Sequence, residues 1–208
     1  MMKLILSLTL FWTLSSTAEA VECWLGEGVD TSRNFLFPCD TSQLCATIGL
    51  QENVTGILQQ TTLRLCLPTA LFSEGKFTYS YNIGVSDVAA SLLLCNTDQC
   101  NGQPIAYPGA QPKNNLQCFT CDDRSSTTCT SKVQCAGTED RCVSGTAEDN
   151  EGSFPVYGCA TAKLCEIAAR LDLLPVPVPI DFPRPPNCCG SNLCNKRGLS
   201  KNKGKLTN

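Results

Sequence analysis

The chain has 208 residues, sixteen of them cysteine and none histidine, with 16 basic against 19 acidic side chains for a net charge of −3. Without histidine it lacks the usual general base, the Ser/His and Cys/His nucleophile systems and imidazole metal ligands. So many thiols would each need a metal or redox role in a reducing compartment, whereas small secreted domains use disulfides in place of a core they cannot bury.

Residues 1–20 carry Lys3, an apolar run from Leu4 to Leu14 and the small-residue end Ala18-Glu19-Ala20. That pattern predicts a cleaved signal peptide, too short in its apolar run to span a bilayer. Residues 44–50 and 61–67 are predicted strands on either side of Asn53-Val54-Thr55-Gly56, which places the N-x-T sequon of Asn53, a glycosylation acceptor, at a hairpin tip. In residues 76–83, Phe77, Tyr79, Tyr81 and Ile83 alternate with Thr78, Ser80 and Asn82, the period of a half-buried strand, and residues 88–94 are its expected partner. Residues 103–115, with Pro104, Pro108, Gly109 and Pro112, read as an exposed linker.

Beyond the linker, residues 141–146 and 156–161 flank the polar turn 148–152 as a second hairpin. Residues 164–173 suit a short helix or a strand. The proline-dense run 174–186 is expected to be an exposed polyproline-II segment with Val176, Val178, Ile180 and Phe182 between the rings. Such a segment loses little entropy on binding, so these four are the candidate partner-binding residues. Residues 196–208 hold Lys196, Arg197, Lys201, Lys203 and Lys205 with no acid. This basic tail is read as a solvated end or as a contact for an anionic glycan, and neither a membrane helix nor a lipid anchor is expected with it.

The cysteines repeat. Cys23, Cys39, Cys45, Cys66, Cys95 and Cys100 correspond to Cys118, Cys135, Cys142, Cys159, Cys189 and Cys194 at a nearly constant offset of about 95 residues. The expected domains are therefore 21–102 and 116–195, the first with six cysteines and the second with ten. Cys188-Cys189-Gly190-Ser191-Asn192-Leu193-Cys194-Asn195 closes the second, and its echo at 94–101 has leucine in place of the first cysteine.

The opening Leu116-Gln117-Cys118-Phe119-Thr120-Cys121 and the closing C-C-x4-C-N together resemble a complete domain of the lymphocyte-antigen-6/urokinase-receptor superfamily. The resemblance implies an all-β chain of two tandem three-finger, snake-toxin-like domains. It also implies the pairings Cys118–Cys142, Cys121–Cys129, Cys135–Cys159, Cys165–Cys188 and Cys189–Cys194, with Cys23–Cys45, Cys39–Cys66 and Cys95–Cys100 in the first copy. The first copy lacks the bridge inside finger one, where Gly26 stands in a cysteine position, and the bridge across finger three, where Phe72 and Leu94 stand near its ends. An apolar contact between Phe72 and Leu94 is expected to replace the latter, and finger one is expected to be looser with nothing in exchange.

Cys118-x-x-Cys121 lies inside this frame and is read as bridge cysteines rather than a zinc or redox site. The acid pairs Asp122-Asp123 and Glu139-Asp140 are read as solvated turns. Asn101 and Asn195, each after a final cysteine, are read as structural amides. No catalytic residue, metal or other cofactor, nucleic-acid partner or membrane anchor is expected. The expected protein is a secreted, non-enzymatic binder of an extracellular or cell-surface protein, acting through its fingers and interdomain face as ligand, decoy or modulator. The alternative is a circulating inhibitor of a secreted phospholipase, although such relatives tend to keep the full cysteine set in their first domain.

Overall fold

The computed structural model describes residues 20–54, 56–174 and 181–196. The expected leader, apart from Ala20, and the basic tail from Arg197 onward lie outside the described residues.

The first repeat supplies β1 (Glu22–Glu27), β2 (Phe35–Pro38), β3 (Gln43–Val54), β4 (Ile57–Pro68), β5 (Gly75–Asn82) and β6 (Ser86–Cys95). The second supplies β7 (Lys113–Thr120), β8 (Ser131–Ala136), β9 (Arg141–Asp149), β10 (Gly152–Ala160), helix α1 (Ala162–Ala168) and β11 (Asn187–Cys189). The two hairpins read from the sequence are β3–β4 and β9–β10, both longer than expected because every backbone group up to the turn finds a partner. The ambiguous stretch after residue 161 is α1 followed by a 3-10 turn at Leu171–Leu173. Leu164, Ile167 and Leu171 fall at helical spacing and all pack against one apolar cluster, which favours helix over strand.

All sixteen cysteines are paired: Cys23–Cys45, Cys39–Cys66, Cys95–Cys100, Cys118–Cys142, Cys121–Cys129, Cys135–Cys159, Cys165–Cys188 and Cys189–Cys194. The two tight sulfur groups, Cys23/Cys39/Cys66 and Cys118/Cys135/Cys159, are therefore disulfide sulfur without a thiolate to ligate a metal.

The knots that close the repeats are built alike. The Asn101 amide accepts from Trp24 N and donates to Trp24 O and Ala46 O, at 2.8–3.0 Å. The Asn195 amide accepts from Phe119 N and donates to Phe119 O and Val143 O, at 2.8–2.9 Å. Both asparagines are buried, so each amide saturates backbone groups that water cannot reach. Gln99 and Leu193, each directly before the last cysteine of its repeat, both take positive φ, at 57° and 56°.

The repeats do not fold as separate sheets. Nine strands form one sheet in the order β11-β9-β10-β5-β6-β3-β4-β1-β2, while β7 and β8 pair on their own. The seam is β5 against β10, with Cys159 opposite Asn82 and Ala160 opposite Tyr81. The alternating aromatic face of β5 serves both sides of it. Phe77 and Tyr79 pack on the first-repeat core of Leu44, Leu67, Leu71, Phe72, Leu92 and Leu94, whereas Tyr81 and Ile83 pack on Val143, Phe154 and Val156 of the second. Ile167 of α1 crosses the seam into the first-repeat core. Phe72 and Leu94 share that buried cluster, so the ends of the missing finger-three bridge are occupied by core side chains.

The linker is exposed over most of its length, as expected, but touches the first repeat through Ile105 and Tyr107. Pro108 is buried, the Tyr107 hydroxyl lies 2.9 Å from Thr62 Oγ1, and Ile105 packs over Gly49, where a β-carbon would come within 3.0 Å of it. Residues 113–115, expected as linker, already belong to β7.

Candidate binding surfaces around the seam

Finger one of the first repeat hangs from β1 and β2, and the structure supplies the replacement that the sequence reading denied it. Arg64, on β4, is 2% exposed. Its Nη1 donates to Gly28 O at 2.7 Å, its Nη2 to Val29 O at 2.9 Å and its Nε to Asn101 O at 2.9 Å. One guanidinium thus ties the finger-one tip to the knot. Burial lowers its pKa and Asp30 opposes that shift; a guanidinium nevertheless stays protonated. Gly26, at φ 142°, faces Asn34, where a β-carbon would lie 2.6 Å from Asn34 Oδ1. Asn34 stands about 95 residues before Cys129, so the two positions that form the Cys121–Cys129 bridge in the second repeat still meet in the first. Arg64 was legible in principle: it shares strand parity with Thr62 and Cys66, the inward face of β4.

Beyond that clamp finger one is apolar and open. Phe35, Leu36 and Phe37 of the edge strand β2 are 59%, 39% and 46% exposed, and Val29 is 61% exposed. Pro38 ends the strand and offers no N–H, which blunts the edge against strand addition.

At the seam itself the acid pair Glu139-Asp140 departs from the expected solvated turn. Asp140 is exposed, but Glu139 is 2% exposed, and its Oε2 accepts from Ala136 N at 2.8 Å. Burial raises the Glu139 pKa, while hydrogen bonds from Ala136 and the Ser80 hydroxyl hold it down and Asp87 and Lys113 act in opposite directions. Asp87 is also raised by burial, with Lys113 opposing. Across the same seam Thr161 N donates to Ser80 O at 3.0 Å and Thr120 Oγ1 to Ile83 O at 2.6 Å.

Of the candidate partner-binding residues, Val176, Val178 and Ile180 lie outside the described residues. Phe182 is half-buried against the second-repeat core. It lines an apolar cavity of about 310 Å³ together with Tyr81 and Ile83 from the first repeat and Leu164 and Leu171 from the second. Asn53 is exposed at the β3–β4 tip, where its Oδ1 accepts from Gly56 N at 3.0 Å. Leu58, directly opposite in register, and Ile57 are 57% and 64% exposed. Among the described residues no helix is long and apolar enough to cross a membrane.

An all-β, disulfide-stapled scaffold that carries apolar fingers is the architecture of a disulfide-rich three-finger protein. Residues 114–197 match the u-PAR/Ly-6 domain. The urokinase plasminogen activator surface receptor of Rattus norvegicus is 33% identical over 111 residues, covering 50% of this chain and 33% of the receptor. That of Aotus trivirgatus is 34% identical over 110 residues, covering 50% and 31%. The chain thus spans about a third of the length of the receptors it matches. The phospholipase A2 inhibitor NAI of Notechis ater is 25% identical over 173 residues, covering 80% of this chain and 86% of the inhibitor. The crystal structure of mouse TEX101 aligns with 84% of this chain and 98% of its own at 15% identity and a TM-score of 0.31, too loose a superposition to carry an argument.

Proposed function

We propose that this protein is a secreted, non-enzymatic binding protein that engages an extracellular or cell-surface protein through its fingers and the face between its repeats. The observation that supports this most is the apolar cavity at the seam, which both repeats line and into whose wall Phe182 is built. A ligand side chain entering there would touch both repeats at once, and Val176, Val178 and Ile180 precede that phenylalanine closely in sequence. The relatives whose names are a surface receptor and an inhibitor are proteins that act by binding. Affinity capture from extracellular fluid, with wild type beside the triple variant Val176→Ser, Ile180→Ser, Phe182→Ser, tests the contact site. Partners should be recovered by wild type and lost by the variant; equal recovery overturns the assignment.

A second reading rests on the inhibitor from Notechis ater, whose alignment runs through both repeats. If this chain inhibits a secreted phospholipase A2, titrating it into that enzyme's assay lowers the rate. An unchanged rate at stoichiometric excess removes this reading and leaves the first intact.

A further inference from the structure

The three strands β11, β9 and β10 present two unlike faces. One buries Val143, Ala147 and Val156 in the second-repeat core. The other is polar: Asn187 and Tyr157 both stand opposite Ser144 in register, which sets the three side chains in one row across the sheet, and Thr146 stands in the next row opposite Pro155. This row floors a recess of about 640 Å³, which Ser126 and Thr127 of finger one and the cations Arg184 and Lys196 also line.

The recess has two properties that a merely solvated face need not have. Its cations have no internal counter-charge: among the described residues no carboxylate lines the recess, and neither Arg184 nor Lys196 enters an ion pair, in a chain with a sequence pI of about 5.0. The acids beyond its rim are engaged elsewhere, Asp149 with Arg124 and Glu148 as acceptor from Ser153 Oγ at 2.8 Å. The floor groups are uncommitted as well. Among the described residues the side chains of Ser144, Thr146, Tyr157 and Asn187 make no hydrogen bond, and all four line the recess.

We infer that this recess is a binding site for an anionic saccharide, a sugar bearing a carboxylate or sulfate. Arg184 and Lys196 take the acid group. Groups that both donate and accept, held on strands rather than loops, match the hydroxyls of a sugar ring, and the Tyr157 ring offers an apolar surface to its C–H face. An acidic peptide would use the cations but leave the row of neutral groups without a role.

The full-length protein is titrated calorimetrically with sialyllactose and with a heparin-derived tetrasaccharide, the two sources of such an acid group, with lactose and oligoglutamate as controls. Binding of one charged saccharide, weakened by salt and absent for lactose and oligoglutamate, supports the site. Arg184→Ala and Lys196→Ala, both at exposed positions, then weaken it about tenfold or more each. Tyr157→Ala weakens it without changing the salt dependence. The full-length variant Lys201→Ser, Lys203→Ser, Lys205→Ser binds as wild type. The inference is overturned if neither saccharide binds, if oligoglutamate binds as well as the sugar, or if the tail variant abolishes binding while Arg184→Ala and Lys196→Ala leave it intact.

Discussion

Arg64 Nε donates to the backbone carbonyl of Asn101 at 2.9 Å, while the same guanidinium holds the carbonyls of Gly28 and Val29. A side chain from the central hairpin thereby links the closing knot to the tip of finger one, the finger that has no bridge of its own. Replacing Arg64 with methionine keeps the length and removes the donors, so several buried carbonyls lose their partners. The variant should be destabilised by roughly 2–3 kcal/mol in denaturant unfolding. Amides of residues 25–36 should lose hydrogen-exchange protection before the β3–β4 pair does. Unchanged protection there would show that finger one does not depend on the clamp.

Gly158 sits on β10 where a β-carbon would lie 2.0 Å from Asn82 O, a backbone atom that cannot swing away. Alanine at 158 must push β5 from β10, at a cost of roughly 1–3 kcal/mol. Scattering should report a larger radius of gyration, and calorimetry a transition split between the repeats. Gly109→Ala, in open space, is the matched control and should behave as wild type.

Glu139 gives the seam a pH dependence. Burial raises its pKa in the folded chain above the ordinary carboxylate value, so its contribution to stability is fully present in acid and is lost as pH rises through the raised value. Glu139→Gln keeps the acceptor for Ala136 N without the charge. The variant should therefore gain stability over wild type as pH rises from the ordinary carboxylate range toward neutrality, and the difference should vanish in acid. Parallel melting curves across that range would count against a charged, buried Glu139.

The Thr161 hydroxyl is buried with no hydrogen-bond partner among the described residues. Thr161→Val replaces it with a methyl group of similar shape and keeps the backbone N–H that bonds Ser80 O. Stability should be unchanged or rise by up to about 1 kcal/mol. A marked loss would reveal a partner for the hydroxyl in solution.

A glycan on Asn53 would stand beside Leu58 and Ile57, both exposed at the same tip. Glycosidase treatment of the protein purified from a eukaryotic host should lower its mass by one N-glycan. Asn53→Gln should bind more of a hydrophobic dye and aggregate sooner. A mass unaffected by the enzyme removes the modification from the account.

Patterns that live within one strand or one turn were legible from the chain. The strand alternation at 77–83, the hairpins around residues 55 and 150, and the paired knots after Cys95 and Cys189 are of this kind, because side-chain parity and turn chemistry are local. The burial of Glu139 and the docking of part of the linker were missed for the same reason. An acid in a polar turn and a proline-rich spacer look solvated until another part of the chain covers them, here Ser80 for the one and the β3–β4 hairpin for the other.

The sequence by itself determined that there are two copies of one cysteine frame, that the chain is all-β, and that the second copy is more heavily stapled than the first. The repeated frame and its unequal stapling follow from residue type and spacing, and the all-β class from the resemblance that those motifs carry. Only the tertiary structure decided that the copies share one sheet, that Arg64 stands in for a missing bridge, and that apolar and polar concavities flank the second-repeat strands. The shared sheet and the apolar concavity depend on the contact of β5 with β10, a pairing between residues almost eighty positions apart. The clamp depends on a charged side chain finding carbonyls some thirty-five residues away, and the polar concavity on Arg184 and Lys196 returning to line it with β9 and β10. Contacts at that range are set by packing, and no local pattern encodes them.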